Sequence, residues 1–447
     1  MVIIRKRLIF WLIKAYIKKS KKILIFSFLA GLLVFFAILF GSRYLKTLFS
    51  LHRYPVIGIV GTYEKNNLPL FIKSKLSRGL TRVEADGSVK LDLAQSYKIT
   101  DHGKTYTFKL DPNAVFADGK TLESSDLNYN FSDVKIETPN KNAIVFRLKD
   151  TYAPFLSTVS QPVFKSGLIG IGDYFIKNIQ LNGNFVQSLT LSRNNNRFET
   201  IKLIFYPTET ALKDAFMLGE VTEAEGLRSA KFKSLAFQKF PKVTVLKTTD
   251  YSHLVTLFYA TDDKILSDKK MRLALSYALP NEIEFGEKAY LPYSSNSIYF
   301  NSDITERSKD IDHAKLLLPN NNVKLTITTL RKYNQAAKVV ADSWTKIGVK
   351  TDIKVVDEIP DRFQVFLSDF NVPKDSDQYS LWHSNQVSNI TKYKNVRIDK
   401  LLEDGRKTTD INERKKIYLD FQKFLIEDMP ATFLYFPYEY DISRTNK

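Results

Sequence analysis

The sequence has 447 residues, a formal net charge of +18 and no cysteine. Hydrophobic residues make up 44% of it and aromatic residues 13%, an ordinary globular composition that excludes a disordered or collagen-like chain. The absence of cysteine excludes disulfides, thiolate metal centres, thiol nucleophiles and a lipidated cysteine. The length predicts two or three domains, because a single hydrophobic core stops growing near about 250–300 residues.

The positive charge is concentrated at the N-terminus, where residues 1–22 hold eight basic residues and no acidic one. Residues 23–42 follow as an uncharged apolar run, and about 20 such residues suffice for a helix to cross the hydrocarbon core of a membrane. Because positive flanks stay on the cytoplasmic side, the pattern predicts a basic cytoplasmic segment at 1–22 and a transmembrane anchor at 23–42. A short stalk at 43–54 would then lead to an extracytoplasmic remainder.

Two alternatives concern this N-terminal part. A cleaved signal peptide normally has an apolar stretch of about 7–15 residues that ends in small residues, whereas this run is longer and carries Leu39 near its end. That comparison favours an uncleaved anchor. Residues 8–17 are apolar apart from Lys14 and have basic flanks, and they fit either a segment lying in the inner membrane interface or an extended signal sequence.

Beyond the stalk, strand-like alternation appears first. Apolar and polar residues alternate over residues 106–110, directly after the turn-forming residues 101–103, and again over residues 144–148. This pattern predicts a β-hairpin with one buried face and a further strand.

A mixed helix and strand pattern follows. Apolar residues recur at helical spacing between residues 330 and 347, Gly348 comes next, and residues 349–355 alternate like a strand. Asp410 and Glu413 predict the start of a last helix that ends before Pro430. The apolar face of that helix is predicted to consist of Ile417, Phe421, Phe424 and Leu425.

Motifs for catalysis or cofactor binding were not found. The sequence has no HExxH zinc pair, nucleophile elbow, phosphate-binding loop or dinucleotide fingerprint. It therefore predicts no enzyme activity, no metal, no cofactor and no nucleic-acid partner. The paired carboxylates of a glycoside hydrolase have no fixed spacing in sequence, so that alternative stays open.

Several short segments occur in a characteristic order. The most specific stretch runs from SRGLTRV at 77–83 through DHGKTYTFKL at 101–110 to FADGK at 116–120. The later segments are PFL at 154–156, GIGDY at 170–174, AL at 211–212 with GEV at 219–221, DKKMRLALSYAL at 268–279, GVK at 348–350, NVRIDKLL at 395–402 and EDMP at 427–430. In this order they resemble the family 5 solute-binding proteins of ATP-binding-cassette (ABC) importers, over roughly residues 57–440.

The resemblance implies an α/β, two-lobe periplasmic-binding-protein-like fold of type II, with the extra β-rich subdomain of family 5, after one N-terminal transmembrane helix. Lobe I would comprise residues 55–254 plus 421–447, with the β-rich insertion at about 76–174. Lobe II would comprise residues 255–420. Lobes of such receptors close on their ligand by hinge motion.

The resemblance also implies a ligand-binding segment. Peptide receptors of the family place an aspartate against the N-terminal amine of the ligand, within a segment like DPDNF, and the matching stretch here is DSDQY at 375–379. Asp375 is accordingly predicted as the amine partner and Asp377 as the second choice, with Tyr379 and Trp382 lining the cleft. An acid at such a site offsets the cost of removing a charged amine from water. A solvated acidic loop is the alternative interpretation.

The resulting functional prediction is a membrane-anchored, extracytoplasmic, monomeric solute-binding protein. It would capture peptides, or a similar extended solute, and deliver them to an ABC permease with its ATPase. A membrane-anchored peptide sensor or chaperone without a transporter is the alternative, and a surface hydrolase is a third hypothesis.

Overall fold

The computed structural model describes residues 6–22, 25–36, 54–318 and 323–445. The chain divides into two compact units, Met1–Pro55 and Val56–Lys447. In the first unit, the described helices are α1 (Lys6–Lys19) and α2 (residues 25–36).

The predicted anchor at 23–42 is described only over α2, since residues 23–24 and 37–42 lie outside the described residues, as do 43–53 of the predicted stalk. Among the residues that the structure describes, no helix combines the length and the apolar character needed to cross a membrane.

The second unit alternates strands and helices, as the α/β prediction requires. Its strands are β1 (Val56–Val60), β2 (Thr81–Val83), β3 (Val89–Leu91), β4 (Ala94–Thr100), β5 (Thr105–Leu110), β6 (Val134–Asn140), β7 (Ala143–Leu148), β8 (Tyr174–Asn182), β9 (Phe185–Arg193), β10 (Thr200–Tyr206), β11 (Glu223–Leu227), β12 (Lys231–Phe232), β13 (Leu235–Ala236), β14 (Val243–Thr249), β15 (His253–Tyr259), β16 (Gly286–Lys288), β17 (Lys324–Leu330), β18 (Lys350–Val356), β19 (Val365–Asn371) and β20 (Ala431–Arg444). Its α-helices are α3 (Leu70–Leu76), α4 (Phe155–Thr158), α5 (Glu209–Leu218), α6 (Lys269–Tyr277), α7 (Ile311–Leu317), α8 (Asn334–Thr345), α9 (Tyr379–Trp382), α10 (Val396–Lys407) and α11 (Ile411–Asp428).

Two groups of strands form the lobes. In lobe I, β1 lies between β10 and β11 and is parallel to both, and β9 and β8 extend the sheet in antiparallel order. In lobe II, β17 is parallel to β18 and β19, and β15 is antiparallel to β19.

One long strand connects the two lobes. The first part of β20 pairs with β15 of lobe II, and its last part pairs with β14 and with β11 of lobe I. The strands β14 and β15 are consecutive and are joined by a turn at residues 250–252. Both β20 and this turn therefore connect the two lobes, and together they are called the hinge below. The predicted lobe boundary at residue 421 falls within α11, whose Phe421 and Leu425 pack in the core of lobe II.

A four-stranded antiparallel sheet, in the order β4-β5-β7-β6, forms a separate β-rich insertion with its own core. The predicted hairpin is confirmed as β4 and β5, because Tyr106, Phe108 and Leu110 are buried on one face. Ile144 and Phe146 of β7 fill the same core, which agrees with the alternation read from the sequence.

The helical predictions for the later part are also confirmed. Helix α8 buries the apolar face expected from its periodicity, and Gly348 follows it with φ +84 before β18 begins. Asp410 caps α11 by accepting hydrogen bonds from the backbone N–H groups of Asn412 and Glu413, and α11 ends at Asp428, before Pro430.

Candidate functional site

A cleft opens between the β-rich insertion, the hinge and lobe II, with about 1000 Å³ of empty space. Its walls come from the turn between β2 and β3, the turn between β14 and β15, and two segments of lobe II at residues 293–297 and 372–376. The insertion also touches lobe II directly, because the backbone N–H of Ile298 donates to the Asp86 carbonyl at 2.9 Å. A second such bond runs from the Ala153 N–H to the Arg406 carbonyl at 2.7 Å.

The turn between β2 and β3 approaches the opposite wall closely. Gly87 adopts φ +83, a conformation that favours glycine, and a Cβ atom there would lie 3.1 Å from the Lys374 carbonyl oxygen. A side chain at this position would crowd the Lys374 carbonyl by a few tenths of an ångström, so glycine suits this close approach to lobe II.

Seven of the sixteen cleft-lining residues carry neutral hydrogen-bonding side chains, and four others are charged. The neutral groups come from serine, asparagine and tyrosine, as Ser252, Ser294, Asn296, Ser297, Ser376, Tyr251 and Tyr293. Such groups can donate and accept hydrogen bonds without a fixed charge preference, which suits the amide groups of an extended solute. Glu84 and Asp86 are the acidic residues of the insertion wall, and Glu84 forms ion pairs with Arg82 at 2.9 Å and Lys90 at 3.5 Å.

Asp375, the predicted amine partner, lines the cleft but already holds a counter-charge. Its two carboxylate oxygens accept hydrogen bonds from the two terminal nitrogens of Arg414, and the side chains of the pair are only 11% and 5% exposed. Burial disfavours the charged guanidinium, but the hydrogen bond and the charge of Asp375 outweigh it, so the pKa of Arg414 lies above its usual value. An incoming amine would therefore have to share Asp375 with Arg414.

Asp377 is paired in the same manner with a different arginine. The Nε of Arg406 donates to both oxygens of Asp377 at 3.1 and 2.9 Å, and the guanidinium carbon lies 3.9 Å from the centre of the Tyr379 ring. Tyr152 of the insertion lies on Arg406 as well, at 5.7 Å. Asp377 and Tyr379 thus take part in a contact between lobe II and the insertion.

Trp382 lies in the core of lobe II. It is 1% exposed, its indole N–H donates to Gln378 at 2.8 Å, and its ring packs near Phe258 and Phe433. The four predicted residues all belong to the segment 375–382, and of these four only Asp375 is among the residues that line the cleft.

Other wall residues were missed in the sequence. The Tyr293 hydroxyl donates to the Ser376 carbonyl at 2.6 Å and ties the two lobe II segments together, and burial keeps its pKa well above the usual value. Neither Tyr293 nor the serines at 294 and 297 belong to a periodic pattern or a motif. The Asp86-Gly87 turn was a usable signal, because that pair predicts a tight turn.

A family model for bacterial extracellular solute-binding proteins, family 5 (middle), matches residues 88–135 and 128–392. This chain belongs to that family. The resemblance predicted from the ordered motifs is thereby confirmed.

Two relatives cover most of this family 5 protein. The oligopeptide-binding protein AppA of Bacillus subtilis is 24% identical over 86% of each chain. The probable D,D-dipeptide-binding periplasmic protein DdpA of Escherichia coli is 23% identical over 84% of this chain and 83% of its own.

Solved structures share the fold. The AppA structure from Bacillus subtilis, in complex with a nonapeptide, aligns with a TM-score of 0.66 at 21% identity, over 88% of this chain and 95% of its own. A nickel ABC transporter structure from Bacillus halodurans aligns with a TM-score of 0.74 at 16% identity, over 88% and 96%. These likenesses confirm the α/β fold of this solute-binding protein.

A charged cluster lies at the hinge of this family 5 protein. The Oδ2 atom of Asp250 is 2.8 Å from both the His253 Nδ1 and a terminal nitrogen of Arg228, and Arg228 also approaches Glu439 at 3.4 Å. Burial would raise the pKa of Asp250, but the hydrogen bonds from His253, Ser252 and Arg228 outweigh it and lower that pKa. The cluster fixes the turn that carries Tyr251 and Ser252 into the cleft.

Proposed function

We propose that this family 5 protein is an extracytoplasmic receptor that captures peptides, or a similar extended solute, in the cleft between the insertion and lobe II. The observation that carries the proposal is the cleft of about 1000 Å³, in which seven of the sixteen lining residues carry neutral hydrogen-bonding side chains. The part of this space that water-sized groups can occupy is about 380 Å³, which lies within the range of about 300–1000 Å³ for small-molecule pockets. An extended peptide offers the same backbone N–H and C=O groups whatever its side chains, so such walls suit many sequences. The names of the oligopeptide-binding and dipeptide-binding relatives support the same ligand class.

The ligand is tested by mass spectrometry of small molecules released from the purified protein after denaturation. We expect peptides at close to one per chain, and we expect a peptide panel to raise the melting temperature of protein stripped of ligand. If no peptide is released and none of the panel stabilises the protein, the peptide proposal is wrong.

Asp375 is proposed as the group that meets a peptide amine, with Asp377 as the second choice. Because Asp375 is already paired with Arg414, the amine would join an existing ion pair and would not meet a free acid. Binding of a free-amine peptide and its N-acetylated form to Asp375→Asn tests this role. A larger loss for the free-amine form is expected, and an equal loss for both forms contradicts it.

The proposed location is the cell membrane, with residues 1–22 in the cytoplasm, an anchor at 23–42 and the second unit outside. The uncharged run of 20 residues after eight basic ones supports this topology. Alkaline extraction of membranes tests it, since an anchored chain stays in the pellet. Release into the supernatant would contradict the anchor.

The proposed partner is an ABC permease with its ATPase, to which the monomeric receptor delivers its ligand without chemical change. In proteoliposomes, ligand-loaded receptor should stimulate the ATPase of its cognate transporter. Ligand binding without any such stimulation would refute the coupling and would favour the anchored sensor or chaperone.

A further inference from the structure

The helix α1 combines a basic face with an apolar face. Each residue of an α-helix turns by about 100°, so positions 7, 14 and 18, all basic, fall within an arc of about 40°. Positions 9, 13, 16 and 17, all apolar or aromatic, fall within another arc of about 100°, centred about 130° away. Of the other positions, Lys6 falls within the apolar arc, Trp11 falls about 20° from Lys18 beside the basic arc, and Lys19 and the remaining apolar residues fall between the two arcs. This is the pattern of an amphipathic helix with a cationic side.

The described side chains of this helix are not covered. Tyr16 is 67% exposed and Ile17 is 49% exposed, although both lie in the apolar arc. Lys14 and Lys18, from the basic arc, are also exposed. The transfer of such an apolar arc from water into an apolar phase is favourable.

The charge of the segment indicates which surface that is. Residues 1–22 contain eight basic residues and no acidic one, so nothing in this segment neutralises them. A surface that is both anionic and apolar beneath its charges matches both faces of α1, and an anionic lipid bilayer has this character. Each lysine or arginine near such a surface strengthens binding by about five-fold.

Chain length supports the same partner. Only three residues separate Lys19 from the uncharged run that begins at residue 23. At about 3.5 Å per residue, the end of α1 can be no more than roughly 10–15 Å from the start of that run. This step rests on the proposed anchor at 23–42, which would hold α1 beside the bilayer.

We propose that α1 lies in the interface of an anionic lipid membrane, with positions 9, 13, 16 and 17 toward the acyl chains and positions 7, 14 and 18 toward the phosphates. The chain would then hold the membrane at two places, through the anchor and through an interfacial helix. A cytosolic protein that binds basic amphipathic helices is the competing partner.

The absence of cysteine makes the test direct, because one introduced cysteine gives one labelling site. The full chain is placed in nanodiscs containing about one third anionic phosphatidylglycerol, with a spin label at Tyr16→Cys or at Lys14→Cys. We expect the label at 16 to be several-fold less accessible to a water-soluble nickel chelate than the label at 14. Ile17→Cys places the label in the same arc and keeps Tyr16. It therefore shows whether the result at position 16 depends on removing the Tyr16 ring.

A third label, at Ala30→Cys, reports the anchor independently. If the label at 30 is buried while those at 14 and 16 are equally accessible, the interfacial helix is refuted and the anchor stands. If the label at 30 is accessible, the anchor is refuted. In that case, the label at 16 must still be less accessible than the label at 14 on anionic vesicles. If it is not, the interfacial helix is refuted too. Burial at 16 only after cytosolic proteins are added would overturn the lipid proposal.

The contribution of charge is measured on the same label. The double variant Lys14→Gln/Lys18→Gln should lower the ratio of docked to undocked helix by roughly 25-fold in anionic nanodiscs. The matched control Lys98→Gln/Lys109→Gln removes the same charge from exposed positions on β4 and β5 of the insertion and should leave the label unchanged. An equal effect of both double variants would contradict a specific role for the basic arc.

Discussion

Removing one partner of the buried ion pair between Asp375 and Arg414 should strongly destabilise lobe II. Replacing Asp375 by asparagine leaves a guanidinium that is 5% exposed without its counter-charge, and breaking a buried pair in this way costs about 3–5 kcal/mol. The second unit has about 390 residues, and unfolding entropy is about 2.1 cal/mol/K per residue, so its total is about 0.8 kcal/mol/K. The melting temperature of Asp375→Asn should therefore fall by about 4–6 °C.

The assay is a double-mutant cycle followed by thermal unfolding. Arg414→Gln should cost a similar amount, because it leaves the Asp375 carboxylate unpaired, whereas Asp375→Asn/Arg414→Gln leaves no charge and should recover much of the loss. The matched control is the exposed pair of Arg331 and Asp357, whose side chains are 80% and 79% exposed, so that Asp357→Asn should change the melting temperature by less than about 1 °C. If Asp375→Asn also stays within about 1 °C of the unmodified protein, the reasoning from burial is refuted.

Two further predictions concern the hinge and the insertion turn. The hydrogen bond with Asp250 raises the pKa of His253, so Asp250→Asn should bring that pKa down, as followed by imidazole proton NMR. This bond stabilises the fold fully below the unfolded pKa of histidine, about 6.5, and its contribution is lost as the pH rises through the folded pKa of His253. If the pKa of His253 is unchanged in Asp250→Asn, the hydrogen bond is not the cause of the raised pKa. Gly87→Ala should weaken peptide binding, because the new Cβ lies 3.1 Å from the Lys374 carbonyl oxygen. Gly119→Ala has a similar φ of +87 but no neighbour within 4 Å, so it should cost stability by strain alone, and equal loss of binding in both variants would argue against the cleft contact.

The sequence predicts those parts of the fold that local patterns specify. The alternation in β5 and the helical spacing in α8 each report a buried face within a few residues, and both faces are buried as expected. The face of α11 was predicted less well, because Tyr418 is fully buried while the predicted Phe424 is only partly buried. The Tyr418 side chain lies against Gly405 of α10, a contact between helices that the periodicity of one helix cannot reveal.

The sequence predicted the segment that carries the candidate site, but it did not predict which residues that segment contacts. The ordered motifs led to residues 375–379, yet the partner of Asp375 lies 39 residues further along, on α11. A lysine or arginine in a helix is normally exposed, so nothing in the local pattern indicates that Arg414 is buried. Tyr293 and Asn296 were missed for a related reason, since they come from an irregular segment that only the fold brings to Asp375.

We expect the solute to bind in the cleft between the insertion, the hinge and lobe II. Asn296 is exposed on the wall of this cleft, so Asn296→Trp should fill part of it without disturbing a core. Asn195→Trp is the control, because Asn195 is exposed between β9 and β10 and is not among the cleft-lining residues. Calorimetric titration with a peptide released from the purified protein should show a loss of at least 10-fold in affinity for Asn296→Trp and none for Asn195→Trp. If Asn296→Trp keeps its affinity and thermal unfolding shows an intact fold, the ligand binds elsewhere, and the proposed binding in this cleft is wrong.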